Sequence, residues 1–207
     1  MKKVMFLVTV GLITAVLVSS FAVAGQEKTA GEKAKEHGQP SPEEMAAWQK
    51  AATPGPHHKL YKDMVGMWNA ECTYWMQPGA EPQVAPLKAE FKMLFGDRYL
   101  VQTIEGEMMG MPFKGMGISG YDNLKGVHTM VWIDNMSTAT MYSEGECAEN
   151  CTVETHHSVH KDAMTGMDQK VKTVSRIIDK DKHVFEYYMV DPSGGEFKSM
   201  EITYTRM

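Results

Sequence analysis

The sequence predicts an all-β protein: about ten antiparallel strands in a meander that closes into a barrel, preceded by one or two short helices and a cleaved leader. Three observations carry this reading. From Gly66 onward, runs of about 8–12 residues alternate apolar and polar side chains, the period of a strand with one buried face. Turn-forming stretches separate the runs: "GD", "DNLKG", "DNMS", "DKDK" and "DPSGG". No helical pattern of roughly 10–15 residues lies between them, which argues against parallel βαβ units. Ten such strands most simply close on themselves, because closure removes exposed edges.

Residues 1–24 read as a secretory signal: Lys2 and Lys3 form a basic start, Val4 to Val18 are mostly apolar, and Ala22-Val23-Ala24 is a small-x-small cleavage site. The apolar run is short for a membrane span of about 20 residues, and no cysteine follows the cleavage site to carry a lipid. The expected location is a bacterial periplasm or the outside of the cell. Residues 25–40 are polar and rich in Lys, Glu and Gly, the composition of a disordered linker. Residues 41–65 form an N-terminal helical segment. Ser41 caps a first helix, Pro42 suits its first position and Glu44 completes a capping box. That helix runs to about Ala52 and stops at "TPGP". A second, about His57 to Val65, carries Leu60, Met64 and Val65 at helical spacing.

The barrel occupies residues 66–207. Its strands are expected at Met67–Met76, Leu87–Phe95, Tyr99–Glu107, Phe113–Tyr121, Val127–Asp134, Thr138–Glu146, Thr152–Lys161, Met167–Ile178, His183–Asp191 and Glu196–Thr205. Residues 1–24 hold two of the 21 basic residues and none of the 26 acidic ones, so the chain beyond Ala24 has a formal charge of −7. That balance argues against nucleic acid and anionic lipid as partners, since both need a basic patch. No segment of the mature chain is long and apolar enough to span a membrane as a helix. Oligomeric state is not legible.

Several motifs together resemble the bacterial DUF1579 family: "VGMW", "GDRYLVQTIEGEMMGMPFKGMGISGYD", "VWIDNMSTATMYSEGE", "VFEYYMVDPSGGEF" and "MEITYTR". They occur in order across roughly residues 57–207. The resemblance implies a calycin-like β-barrel, related in shape to lipocalins and fatty-acid-binding proteins, and supplies no catalytic residue.

Catalytic signatures are absent: no G-x-S-x-G elbow, no H-E-x-x-H and no Gly-rich phosphate loop. The glycines of "GMGISG" fit a bend or a close backbone approach better than a phosphate cradle. Alternation puts His128, Met130, Trp132 and Asp134 on one face of a strand and Val127, Thr129, Val131 and Ile133 on the other. The first set is large and mixed, as in a ligand cavity wall; Asp134 also suits an Asx cap for the turn that follows. The expected lining is Trp68, Met130, Trp132, Asp134 and Tyr142, with Arg176 placed to meet an acid head group. Glu105, Glu186 and Glu201 are candidates for an acid pair inside the barrel.

The chain beyond the leader keeps 17 of 19 methionines, and Met108, Met109, Met111 and Met116 cluster in one stretch. Thioethers select Cu(I), but packing or cavity lining is the commoner use of Met. His156 and His160 share a strand face but stand roughly 13 Å apart, too far for one ion, so the "THHSVH" histidines are expected to be exposed. No cofactor and no metal site are assigned. Cys147 and Cys151 flank a three-residue stretch between strands and are expected to form a disulfide across a hairpin, with a thiolate metal site as the rival and Cys72 left as a buried thiol. The resulting function is an exported barrel that binds a small apolar or amphipathic molecule. The alternatives are a structural or protein-interaction module without ligand, and an enzyme or metal-handling protein.

Overall fold

The computed structural model describes residues 39–148, 150–162, 165–191 and 193–207. The expected leader, and the linker apart from Gln39 and Pro40, lie outside the described residues. Pro40–Met207 form one compact unit. The elements are α1 (Pro42–Ala52), α2 (Pro56–Leu60), a 3-10 turn (Tyr61–Met64), then β1 (Gly66–Tyr74), β2 (Gln83–Leu94), β3 (Tyr99–Met108), β4 (Met111–Asp122), β5 (Val127–Asp134), β6 (Met141–Cys147), β7 (Val153–Lys161), β8 (Asp168–Asp179), β9 (Lys182–Val190) and β10 (Glu196–Arg206).

Each strand pairs antiparallel with the next, and β1 pairs with β10 from Trp68↔Arg206 to Tyr74↔Met200, closing the barrel. The fold class is therefore the one that the alternating pattern predicts. Closure gives every strand a partner on both sides. Alternation along β1 and β2 sends Trp68, Ala70, Cys72, Ala85, Leu87, Ala89 and Phe91 into the core.

Ser41 and Glu44 form the capping box that their spacing predicts: Ser41 Oγ accepts from Glu44 N–H, and Glu44 Oε2 accepts from Ser41 N–H at 2.7 Å. None of the residues of α1 is buried. Its end is held instead by Asn123, whose amide donates to Ala51 O and Thr53 O at 2.9 Å each. The second helical segment is α-helical only to Leu60 and finishes as the 3-10 turn.

Because the strands alternate in direction, the starts of β1, β3, β5, β7 and β9 lie at one end of the barrel, with the helical segment. Tyr61, buried there, donates from its hydroxyl to Gly120 O at 3.3 Å. Arg206 fastens the same end. It donates to Asp63 O and Val65 O before β1 and to Lys180 O in the β8–β9 turn, pairs with Asp181, and stacks over the Trp68 ring at 4.2 Å.

Candidate functional site

The inward-facing side chains leave a cavity of about 500 Å³ inside the barrel. Its walls are mainly apolar and aromatic: Leu87, Phe91, Ile104, Phe113, Trp132 and Phe185 among them. Methionines gather toward the end away from the helices, where Met76, Met108, Met109, Met136 and Met141 stand at strand ends and turns. Met111 and Met116, from the same sequence cluster as Met108, do not line the cavity and lie exposed on the surface.

Met130, Trp132 and Asp134 all line the cavity from β5. The Trp132 indole lies against the backbone of β4, where Gly117 pairs with Trp132 and Gly115 with Asp134. A Cβ at Gly115 would stand 2.4 Å from Trp132 Cζ2, and one at Gly117 3.2 Å from Cε3. The glycines of "GMGISG" thus permit a close side-chain approach to the strand. Asp134 has both of the roles that the sequence suggests. Its Oδ2 accepts from Trp132 Nε1 at 2.7 Å, while Oδ1 accepts from the backbone N–H groups of Met136 and Ser137 in the turn.

A few polar groups interrupt the apolar wall. Gln102 donates to the Tyr204 hydroxyl at 2.8 Å, and Tyr187 lies 3.0 Å from His160 Nε2. Thr173 and Ser175 also face the interior. His183 is buried and stacked on Tyr204, with ring centroids 4.2 Å apart. Neither of its ring nitrogens has a hydrogen-bond partner among the described residues. Burial, and then the nearby Arg206 charge, lower its pKa to about 3, so the ring is neutral.

Three expected lining residues have other roles. Trp68 is core rather than cavity wall: it is 1 % exposed, packs against Phe91 and His183, and donates from Nε1 to Met64 O at 2.8 Å. Tyr142 borders the cavity, but its hydroxyl donates to Glu144 Oε1 at 2.7 Å on the outside of the barrel. The reason is register. Met141, not Tyr142, pairs with Trp132, and one residue of slip exchanges the faces of a strand. Arg176 also borders the cavity, but its guanidinium is held by Glu186 at 3.0 Å, so it is not aimed at an acid head group inside.

The acid pair is also outside the barrel. Glu186 and Glu201 pair across β9 and β10, but each lies between cavity-lining neighbours and so points outward, where Lys198 bridges them. Glu105 is exposed beside Lys114. His156 is buried rather than exposed, with Nε2 3.4 Å from Glu154 Oε2.

A second polar constellation lies at the helix end of the barrel. Four donor atoms lie within 4.8 Å of one another: one from each of His57, His128, Cys147 and Cys151. His57 comes from α2, His128 from the start of β5, and the cysteines from the β6–β7 hairpin. The two cysteines are bonded to each other, with Cα atoms 4.7 Å apart. His57 Nδ1 lies 3.1 Å from His128 Nε2, and its ring stacks on Tyr121 at 4.0 Å. On the far side of the His128 ring, Nδ1 meets Glu154 Oε1 at 3.1 Å and the Tyr61 hydroxyl at 2.9 Å. Burial would raise the Glu154 carboxyl, but the hydrogen bonds of His128 and His156 outweigh it and hold the group well below its ordinary value. His57 is held below its ordinary value by burial, then by the neighbouring His128.

Sequence reasoning did not assemble this group. Cys147 and Cys151 stand there without histidine partners, and His57 has only a place in the second helix. His57 lies 71 residues from His128 and 90 and 94 from the cysteines; the docking of α2 brings it to them, and the β5–β6–β7 pairing brings His128 to the hairpin. The available signal was a C-x3-C hairpin in a chain that also carries His57, directly after a helix-starting Pro.

A closed antiparallel barrel with an apolar interior and one polar, capped end places this chain among the cavity-containing β-barrels. Its sequence belongs to the family described as "Protein of unknown function (DUF1579)", whose model matches residues 53–206. The match runs from just before α2 through β10, and so takes in both constellations. No curated protein matches the chain.

Proposed function

We propose that this protein binds a small apolar or amphipathic molecule inside the barrel, reversibly and without chemical change. The observation that carries the reading is the cavity of about 500 Å³, lined mainly by apolar and aromatic side chains. Its volume lies in the range of small-molecule sites, roughly 300–1,000 Å³. Apolar contact supplies affinity. Thr173, Ser175, Gln102 and His183, whose ring nitrogens have no partner among the described residues, supply orientation, because a buried polar group is stabilised by a ligand that hydrogen-bonds to it. In this reading Trp132 is the main aromatic surface, held in place by Asp134 and by the glycines beneath it.

We also propose that the protein is exported. The basic start, apolar run and small-residue site of residues 1–24 support this.

Native mass spectrometry of the purified protein, together with titration of an environment-sensitive apolar dye, tests the binding proposal. We expect one molecule bound per chain, and at least tenfold weaker dye binding in Trp132→Ala with the fold retained by circular dichroism. A wild-type protein that binds no dye and carries no small molecule overturns the reading.

A further inference from the structure

We propose that His57, His128, Cys147 and Cys151 form a closed Cys2His2 site for a single zinc ion, which fastens α2 to the end of the barrel. The donor types are those of structural zinc, and four protein ligands leave no open position for a reacting molecule. Spacing agrees with the chemistry. Zn–N bonds of about 2.0–2.1 Å and Zn–S bonds of about 2.3 Å, arranged tetrahedrally, place two nitrogens roughly 3.3 Å apart and a nitrogen and a sulfur roughly 3.6 Å apart. His57 Nδ1 lies 3.1 Å from His128 Nε2, 3.6 Å from Cys151 Sγ and 3.9 Å from Cys147 Sγ.

The surroundings of the donors form an independent observation. A zinc-bound histidine usually donates its second ring N–H to a carboxylate or another acceptor, which fixes the tautomer. His128 Nδ1 meets Glu154 Oε1 at 3.1 Å, so Nε2 is left as the free donor, directed at His57 and the cysteines. The ring is 1 % exposed. Gly145 pairs with both His128 and His156. A Cβ there would stand 2.5 Å from the His156 ring, so this glycine keeps room for the imidazole–carboxylate row. His57 is oriented by its stack on Tyr121. A hairpin staple requires none of these partners.

Zinc and the Cys147–Cys151 bond are alternatives for the same two sulfurs. A phosphine reductant cleaves that bond with one water, giving the phosphine oxide and two thiols. Metal binding then releases the two thiol protons. The zinc-bound thiolates are shielded from oxidation as long as the ion stays.

The test uses the full chain, reduced with phosphine and freed of metal under inert gas, and titrated with Co2+ and then Zn2+. We expect one Co2+ per chain, with the intense near-ultraviolet charge-transfer band of thiolate ligation and the visible bands of tetrahedral cobalt, both abolished by one equivalent of Zn2+. His57→Ala, on the partly exposed side of the site, should lose at least a hundredfold in Zn2+ affinity, and Glu154→Gln about 10–100-fold. Cys72→Ser removes the only other thiol and should change neither spectrum nor stoichiometry. Zn2+ should also raise the melting temperature of the reduced wild type but not that of Cys147→Ser. Reduced, folded wild type that takes up no stoichiometric cobalt, or takes it up without the thiolate band, overturns the proposal. So does His57→Ala protein that binds Zn2+ as tightly as wild type.

Discussion

The Trp132 indole N–H donates to Asp134 Oδ2 at 2.7 Å, two residues further along β5, while the other oxygen of that carboxylate caps the turn leading to β6. One side chain therefore orients an indole of the cavity wall and caps the turn that leads to the next strand. Removing it leaves three donors to find new acceptors. Asp134→Ala should destabilise the protein by about 1–3 kcal/mol, measured by urea unfolding. Asp134→Asn keeps an acceptor for the indole or the turn and should cost less. Equal losses in the two variants would refute this division of roles.

Gly115 has a packing role that follows from the same pair. Its missing side chain leaves the space that the Trp132 ring occupies. Gly115→Ala should cost about 1–3 kcal/mol, the usual range for overpacking, and should weaken dye binding. In a Trp132→Ala background the same substitution should be nearly neutral. A double-mutant cycle measures the coupling; costs that simply add would show that the ring is not what the alanine meets.

The barrel was legible because its evidence is local. Val127–Asp134 has the same bounds in sequence and structure, and the alternation along it names the cavity face correctly at Met130, Trp132 and Asp134. Where bounds moved, a specific contact moved them. The second strand is expected at Leu87–Phe95, yet β2 begins at Gln83. Residues Gln83–Pro86 pair with β1 alone, and pairing to β3 starts only at Leu87, so the missing N–H of Pro86 leaves no gap in a two-sided ladder. The sixth strand starts at Met141 rather than Thr138 because the Asp134-capped turn precedes it.

Facing across strands was much less legible. Tyr142 and Arg176 follow the right residue types but lie on outward positions, because register depends on loop geometry that composition does not encode. The helix-end cluster was the least legible of all. Its members are a helix residue, a strand residue and a hairpin pair, and each is unremarkable in its own stretch of sequence.

Cys72 sets the background for any thiol measurement. It is fully buried, and burial raises its pKa to about 11. A thiol that is neither ionised nor accessible reacts slowly. Iodoacetamide should leave Cys72 unmodified in the native protein at pH 8 and label it within minutes in urea. Rapid native labelling would contradict this burial.

The proposed leader makes a direct prediction about the mature N-terminus. Protein recovered from the exported fraction of its host should begin at Gly25, within a few residues, by Edman sequencing. Soluble cytoplasmic protein that retains Met1 would count against export.

His183 should make the protein acid-sensitive. Its ring is enclosed by Trp68, Phe91 and Tyr204, with the Arg206 guanidinium nearby and Asp181 paired to that guanidinium. The phenol of Tyr204 is held above its ordinary value by burial and stays neutral in acid. The folded-state pKa of His183 is about 3, against an ordinary value of 6.5. The unfolded chain therefore binds a proton below about pH 6.5 that the folded chain refuses. Its contribution to stability is fully present above pH 6.5 and is lost as pH falls from there toward 3. The whole loss is on the order of 3–5 kcal/mol. His183→Phe keeps a ring stacked on Tyr204 and removes the titration. Its absolute stability is free to differ from wild type, but its urea midpoint should change less between pH 6.5 and pH 4. Wild-type and variant profiles of the same slope across that window would show that His183 is not the group responsible.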